Sequence, residues 1–445
     1  MAGVTSAVGN ASTAVPREST LVFELFTSRW RGGAARYRKP VTIEIRQVED
    51  DRLADFLKPV FRALGSGPRD PRWLAAVKTM PEWDLKLGAH DGDAIVGGAA
   101  NFTFGLSVPG GEAQTAGLTM VGVDATHRRR GILRELMRRH LGWAHEQGHP
   151  LAALWASEGT IYGRFGYGLA SLALNVDVRR HQTAFATEDG AAGQVRFVDE
   201  AEAAELFPPI YAQERAGRPG MLSRSPEWWS VRRLGDEEWQ RRGKTVDLQR
   251  IVLELDGEPA AYALYRHQGG WDGFEPAGNV DVVEAMGATP AATRAIWRVV
   301  LDIDLVLNIT AWLLPIDHPL LFLIADPAAL RANFGDGLWV RLLDVGAALS
   351  AREYLADGEV VFEVRDEFCP WNAARWRLEG AAAERTDAEA DLSLDVTALG
   401  SAYLGGFSFT QLADAGRVEE LSPGALARAD EIFRWHRAPW CPEIF

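Results

Sequence analysis

Cysteine is scarce in this chain: Cys369 and Cys441 are the two among 445 residues. They make no disulfide framework and fit a reducing compartment, so a cytoplasmic location is expected. Basic residues are outnumbered, with 47 Lys and Arg against 61 Asp and Glu. The resulting formal charge of −14 argues against nucleic acid or an anionic membrane as a partner. It would instead draw a cationic ligand toward any cleft where acids converge. Long apolar runs are missing as well. The most apolar stretch, "LVLNITAWLLPIDHPLLFLIA" at 305–325, carries Pro315, Asp317, His318 and Pro319 at its centre, where a spanning helix would suffer most. Two buried elements joined by a turn are expected there. No apolar core precedes a cleavage-like site at the start, so no signal peptide is read. Residues 1–38, small and polar and then Arg-rich, are expected to be a disordered extension.

What is present is ordinary for a globular chain: 47% hydrophobic and 24% charged residues. The length exceeds one hydrophobic core and predicts two or three domains. "VTIEIRQ" alternates as a strand and "RLADFLKPVFRAL" has helical spacing. Two strands follow around His90–Asp93, a third covers 116–123, and a helix with Leu133, Met137, Leu141 and Ala144 on one face ends at Gly148 and Pro150. "LAALWAS" is a buried strand. The order predicts a mixed α/β layer fold. A weaker echo follows: strands in "IVLELDG", "AAYALYRH" and "VDVVEAM", a helix over 289–302 and a strand in "ITAWLLP". Its turn "AMGATPAAT" lacks the arginines of the first copy. After "GDGLWVRLLDV" the pattern becomes α+β, with short helices near 345–355 and 424–436 around strands at 359–365 and 374–379. The expected domains are therefore 39–178, 179–338 and 339–445.

The sharpest local signal is "VGVDATHRRRGIL". Arg128, Arg129 and Arg130 are expected at the start of a helix, an end that already carries partial positive charge. Each cation there costs about a few tenths of a kcal/mol, which a bound polyanion would offset. Gly131 lets such an anion approach the backbone, and the N–H groups from Ile132 onward point at it. The alternative is a solvated basic cluster paired with Asp124 or Glu135. A second unusual stretch, Tyr162 followed by "GRFGYG", places three glycines at 163, 166 and 168 after a buried strand. Alone it would be a core tyrosine in a Gly-rich turn. No His–Asp pair stands out in the first domain: His127 is beside the arginines, and His90 and His149 are in turns. No metal-ligand set is read.

Arg-x-x-Gly between a strand and a helix resembles the pyrophosphate loop of the GCN5-related N-acetyltransferases, although Leu133 stands where the usual motif continues with Gly or Ala. Tyr162–Tyr167 matches the Tyr-x-x-x-Gly-aromatic element of that family, and "THRRRGILR" and "ASEGTIYGRFGYG" are similar to the Eis (enhanced intracellular survival) acetyltransferases of actinobacteria. The resemblance implies an active acetyltransferase domain, a second such domain without a cofactor site, and a sterol-carrier-protein-like C-terminal domain. It implies acetyl-CoA as co-substrate and a hexamer. Val121, Gly122 and Val123 would pair with the pantetheine arm, one N–H polarising the acetyl carbonyl, an effect worth ~3 kcal/mol in acyl transfer. Tyr162 would be general acid, and the glycines would turn the phenol toward the cofactor. Ser157 would either lie along the arm or cap the strand end. The base would be the terminal carboxylate at Phe445, with Glu443 as the lesser choice. Asp70, Trp73 and Trp83 are in the region forming the acceptor wall. The implied acceptors are primary amines of aminoglycosides, polyamines or lysine. A protein lysine acetyltransferase and a non-enzymatic lipid carrier using the third domain are the alternatives.

Overall fold

Glycines and one bulge shape the first module of the computed structural model, which describes residues 43–67, 69–187, 193–241 and 244–445. The expected extension 1–38 lies outside the described residues. The module contains β1 (Glu44–Gln47), α1 (Leu53–Ala63), α2 (Pro71–Val77), β2 (Trp83–Asp91), β3 (Ala94–Val108), β4 (Gly111–Val123), α3 (Ile132–Glu146), β5 (Leu151–Trp155), the single turn α4 (Gly159–Tyr162) and β6 (Gly168–Leu169). In α1 the residues Leu53, Phe56, Leu57, Val60 and Phe61 recur at helical spacing and are buried. This face packs so close to β4 that a side chain at Gly122 would meet the Val60 backbone. β4 pairs with β5 in parallel only over Thr115–Gly117. Beyond that point its register with β3 slips at Ala100, and Met120 adopts a positive φ of 51°. The bulge turns the end of β4 away from β5 and opens a gap.

The second module repeats the plan. It comprises β7 (Leu172–Arg179), β8 (Gln194–Phe197), α5 (Glu200–Gly217), α6 (Pro226–Trp228), β9 (Leu248–Leu255), β10 (Glu258–Gln268), the small ribbon β11 (Trp271–Asp272) and β12 (Glu275–Pro276), then β13 (Gly278–Gly287), α7 (Pro290–Leu301), β14 (Val306–Leu314), α8 (Leu320–Leu323) and β15 (Asn333–Asp336). The apolar stretch at 305–325 thus becomes β14, a turn and α8. No described helix is long and apolar enough to cross a membrane.

The two large sheets trade chain at the point where one module gives way to the next. β7 pairs with β14 and β15 in the second sheet, whose order is β15-β7-β14-β13-β10-β9-β8. The later strand β16 (Leu338–Leu342) returns to the first sheet and inserts between β5 and β6. A segment at least 170 residues downstream of its partners (Trp339 on Leu169) therefore completes the sheet that carries the site, a pairing no local pattern could announce.

The third module has α9 (Val345–Ser350), β17 (Glu359–Arg365), β18 (Ala374–Glu379), β19 (Ala382–Arg385), β20 (Leu392–Asp395), α10 (Val396–Ala402), α11 (Phe409–Asp414), β21 (Val418–Glu420) and α12 (Ala425–Phe433). Its five-stranded sheet runs β19-β18-β17-β20-β21. Phe362, Phe409 and Phe433 fill its interior, with ring centroids 5.5 and 4.9 Å apart along that series. These side chains continue into the core beneath α1 and β3. The mixed α/β class with a separate α+β module is as the sequence pattern predicts.

Candidate active site

The gap beyond Gly117 leads into a cavity of about 840 Å³. Val121, Gly122 and Val123 form one wall, and their β5-facing edge has no strand partner. Arg128, Arg129, Gly131 and Ile132 line the mouth, and Ser157 and Tyr162 lie on the side made by β5 and α4. Glu367 and Phe368, from the turn after β17, complete it. Nothing in their local sequence marks these two; only the packing of the third module brings them here.

The arginines do not occupy the first helical turn as expected. The helix begins at Ile132, with Gly131 as its left-handed N-cap at φ 79°, and Arg129 also has a positive φ of 64°. The cluster therefore sits in the turn before the helix, where its charges oppose the dipole less. Asp124 pairs with Arg62 at 2.8 Å, and Glu135 pairs with Arg138 and Arg139. Neither acid neutralises the cluster. Among the described residues Arg128 and Arg129 have no ion-pair partner, and both are exposed. Arg130 points elsewhere, donating to the Thr126 carbonyl at 3.2 Å, and does not line the cavity. No side chain caps the start of α3, so its first N–H groups remain open to a ligand. The donor set fits a diphosphate.

Tyr162 is 5% exposed at the end of α4. Burial raises its pKa, and the Ser157 hydroxyl beside the phenol pulls the other way without cancelling the rise. The group is held as a neutral O–H donor. Ser157 thus lines the cavity and touches the phenol. The glycines behind it act differently from the expectation. Gly163 has an ordinary helical backbone, whereas Gly166 has φ 86°. A side chain at Gly166 would overlap the Arg341 guanidinium, and one at Gly168 would strike the Thr397 carbonyl of α10. The Gly-rich turn is where β16 and the third module press against the floor of the site. Tyr167, beneath Tyr162 with ring centroids 6.2 Å apart, is fully buried.

A His–Asp pair does exist, contrary to the sequence reading: His127 Nε2 lies 3.1 Å from Asp91 Oδ2. It belongs to the arginine loop, at the mouth of the cavity. Asp70 caps α2 and pairs with Arg72 at 2.9 Å, and Trp73 packs on Phe61 at 6.0 Å. Trp83 is buried against Phe102 at 5.0 Å. None of these three lines the cavity. Cys369 and Cys441 are buried, which pushes their thiols up to about 11 and about 12, so neither is a nucleophile at neutral pH.

The end of the chain is strapped down. Glu443 takes Arg224 at 2.7 Å and the Trp228 indole N–H at 2.7 Å, and Arg233 donates to the Pro442 carbonyl at 2.8 Å. Arg224 also forks onto Glu284. Burial alone would raise the Glu443 pKa, but Arg224, Arg233 and Arg232 together bring it down to about 2. So weak a base, held by three partners, is a lock. Beyond it the Phe445 ring packs edge-on against Phe104 of β3 at 5.0 Å.

Known proteins share the sequence and the fold of these three modules. A profile of an acetyltransferase (GNAT) domain matches residues 44–170, a second acetyltransferase (GNAT) profile matches 220–342, and a sterol carrier protein domain matches 345–442. An uncharacterized N-acetyltransferase of Streptomyces avermitilis is 41% identical over 411 residues, covering 91% of this chain and 100% of that one. The N-acetyltransferase Eis of Mycobacterium tuberculosis is 34% identical over 382 residues, covering 81% of this chain and 88% of that one. The chain belongs to the Eis family of GCN5-related N-acetyltransferases. Eis1 from Mycobacterium abscessus superposes with a TM-score of 0.78 at 34% identity, covering 90% of this chain and 100% of that structure. A GCN5-related N-acetyltransferase from Anabaena variabilis, at 19% identity and a TM-score of 0.77, shares the fold. As an Eis-family enzyme the protein is an N-acetyltransferase, of a class that uses acetyl-CoA as co-substrate.

Proposed function

We propose that the protein transfers an acetyl group from acetyl-CoA to a primary amine of a cationic substrate, such as an aminoglycoside, a polyamine or a lysine side chain. The observation that carries this reading is the pair of unpartnered cations, Arg128 and Arg129, at the mouth of the cavity that holds Tyr162. With the open N–H groups at the start of α3 they hold the diphosphate. The free edge of β4 at Val121–Val123 receives the pantetheine arm. Acetyl-CoA supplies the activated thioester.

A backbone N–H on that edge polarises the acetyl carbonyl and stabilises the charge that develops on its oxygen. Tyr162 donates a hydrogen bond to the departing sulfur. A thiol near pKa 8.5 against a phenol raised above its usual 10 makes full proton transfer unfavourable, so hydrogen bonding is the larger contribution. The terminal carboxylate at Phe445 takes a proton from the substrate ammonium, freeing the amine lone pair to attack the thioester carbon, as the resemblance implies. Phe445 itself does not line the Tyr162 cavity; its ring packs on Phe104 with Glu443 anchored behind it, and the carboxylate's role rests on the resemblance. Glu443 is too weak a base to compete. Acidic net charge favours cationic acceptors at long range.

Calorimetric titration with coenzyme A tests the reading, with thiol release measured on spermidine, an aminoglycoside and a lysine peptide. Arg128→Ala/Arg129→Ala should weaken coenzyme A binding by about tenfold or more. Unchanged affinity in that variant, or no release with any amine, would overturn the proposal.

A further inference from the structure

The second module keeps a cavity at the position of the first one's. It measures about 450 Å³ and opens where β13 passes into α7, beside the end of β14. Its shape is not that of a diphosphate cradle. Only Ala288 and Thr289 separate β13 from α7, against eight residues between β4 and α3. Thr289 caps the helix by accepting from the Ala292 N–H, and Pro290 has no N–H to offer. Part of the gap is filled from the third module: the Trp440 indole N–H donates to the Leu313 carbonyl.

What remains is a polar pocket with one conspicuous donor. His318, 5% exposed, lies in the cavity wall. Its Nδ1 accepts the Leu320 N–H at 3.2 Å, which puts the ring proton on Nε2. No group of the described residues accepts from that Nε2. The ring is neutral, since burial lowers its pKa to about 3. Arg294, exposed in the cavity lining, has no ion-pair partner among the described residues. The other charges cancel among themselves. Glu214 takes Arg218 and Arg437 at 3.0 and 2.6 Å, and Asp317 takes Arg218 at 2.7 Å. Counting Arg294, Arg218 and Arg437 against Glu214 and Asp317, the wall has one cation in excess. Met286, Pro315 and Trp440 supply apolar surface next to it.

We infer that this cavity is a second ligand site, taking a small metabolite through one compact oxyanion, a carboxylate or phosphate group. Arg294 binds the charge, the His318 Nε2–H donates to it, and the apolar wall covers the remainder. The His318 Nε2–H has no acceptor among the described residues, and such a ligand supplies one. The site is independent of the acetyl-transfer reading.

The test uses the full chain carrying Arg128→Ala and Arg129→Ala, so that the first loop cannot take the probe. Inorganic phosphate and isobutyrate are titrated separately by calorimetry. Saturable binding of either probe at one equivalent is expected, phosphate or isobutyrate identifying the anionic group. Adding Arg294→Ala should weaken it by about tenfold, and adding His318→Phe should do likewise. Arg294 is exposed, so its variant reads binding without disturbing the fold. No saturable binding of either anion, or binding indifferent to Arg294→Ala, would overturn the inference.

Discussion

The two acetyltransferase modules share a plan and differ at one short turn. Each has a strand that splays from its parallel neighbour, a helix that follows it, and a gap between. In the first, eight residues bridge β4 to α3, two of them unpaired arginines, and the helix begins on a bare glycine. In the second, two residues bridge β13 to α7, a threonine caps the helix, and Trp440 of the third module plugs the gap. The same architecture thus leaves the helix start uncapped in one copy and satisfies its own backbone in the other. On the proposed reading, length and capping at a helix start, more than fold, set which copy can hold a nucleotide.

The tail is what links the copies, and cutting its anchor should have the largest effect. Arg224→Met removes one of the two cations, Arg224 and Arg233, that the buried Glu284 and Glu443 share, and should lower stability by ~3–5 kcal/mol, read by denaturant titration. A loss under about 1 kcal/mol would mean that the tail is held elsewhere. Next comes the phenol that only the first gap contains. Tyr162→Phe should reduce kcat by about 100-fold with little change in the KM for acetyl-CoA. Unchanged turnover would remove it from the chemistry.

Acid should then strain both modules together, because each contains a fully desolvated neutral histidine, His140 in the first and His318 in the second. Burial lowers the pKa of His140 and of His318 to about 3. The unfolded chain binds protons on these rings from about pH 6.5 downward while the folded one does not, so stability falls as pH drops from there toward 3. Each ring should contribute about 2 kcal/mol of loss between pH 7 and 5. Glu443 adds to the same trend lower down, its stabilisation being lost as pH falls from about 4.5 toward 2. His140→Gln, which can still meet Asn101, should flatten the melting temperature profile above pH 5; a profile as steep as before would clear this residue. The smallest effect compares the two helix starts. Gly131→Ala and Thr289→Ala should each cost ~1 kcal/mol, one from the left-handed backbone and one from the lost cap. Only the first should raise the KM for acetyl-CoA. A rise in both would erase the distinction between the copies.

Much of this was readable in the residues. Periodicity placed α1, α3, α7 and the central strands, since an apolar face repeats wherever a helix or strand must be buried on one side. The arginine loop was visible because a positive cluster beside a helix start is unfavourable without a ligand. It was misplaced by one turn, because Gly131 and Arg129 take left-handed backbone that spacing does not reveal. The His127–Asp91 pair was missed because its partners are 36 residues apart on different elements. Asp70, Trp73 and Trp83 were grouped by proximity in the chain, whereas packing sends them to a helix cap and to aromatic contacts away from the cavity.

Local sequence by itself determined the two acetyltransferase-like modules, the arginine loop of the first, and the place of the tyrosine that follows it. Those depend on near neighbours in the chain, whose side chains share a face or a turn. Tertiary structure alone decided the exchange of β7 and β16 between sheets, the use of Gly166 and Gly168 to seat Arg341 and α10, and the anchoring of the tail by Arg224 and Trp228. Each of these is a contact between groups far apart in the chain. Its free energy exists only once folding has brought both partners out of water and against each other.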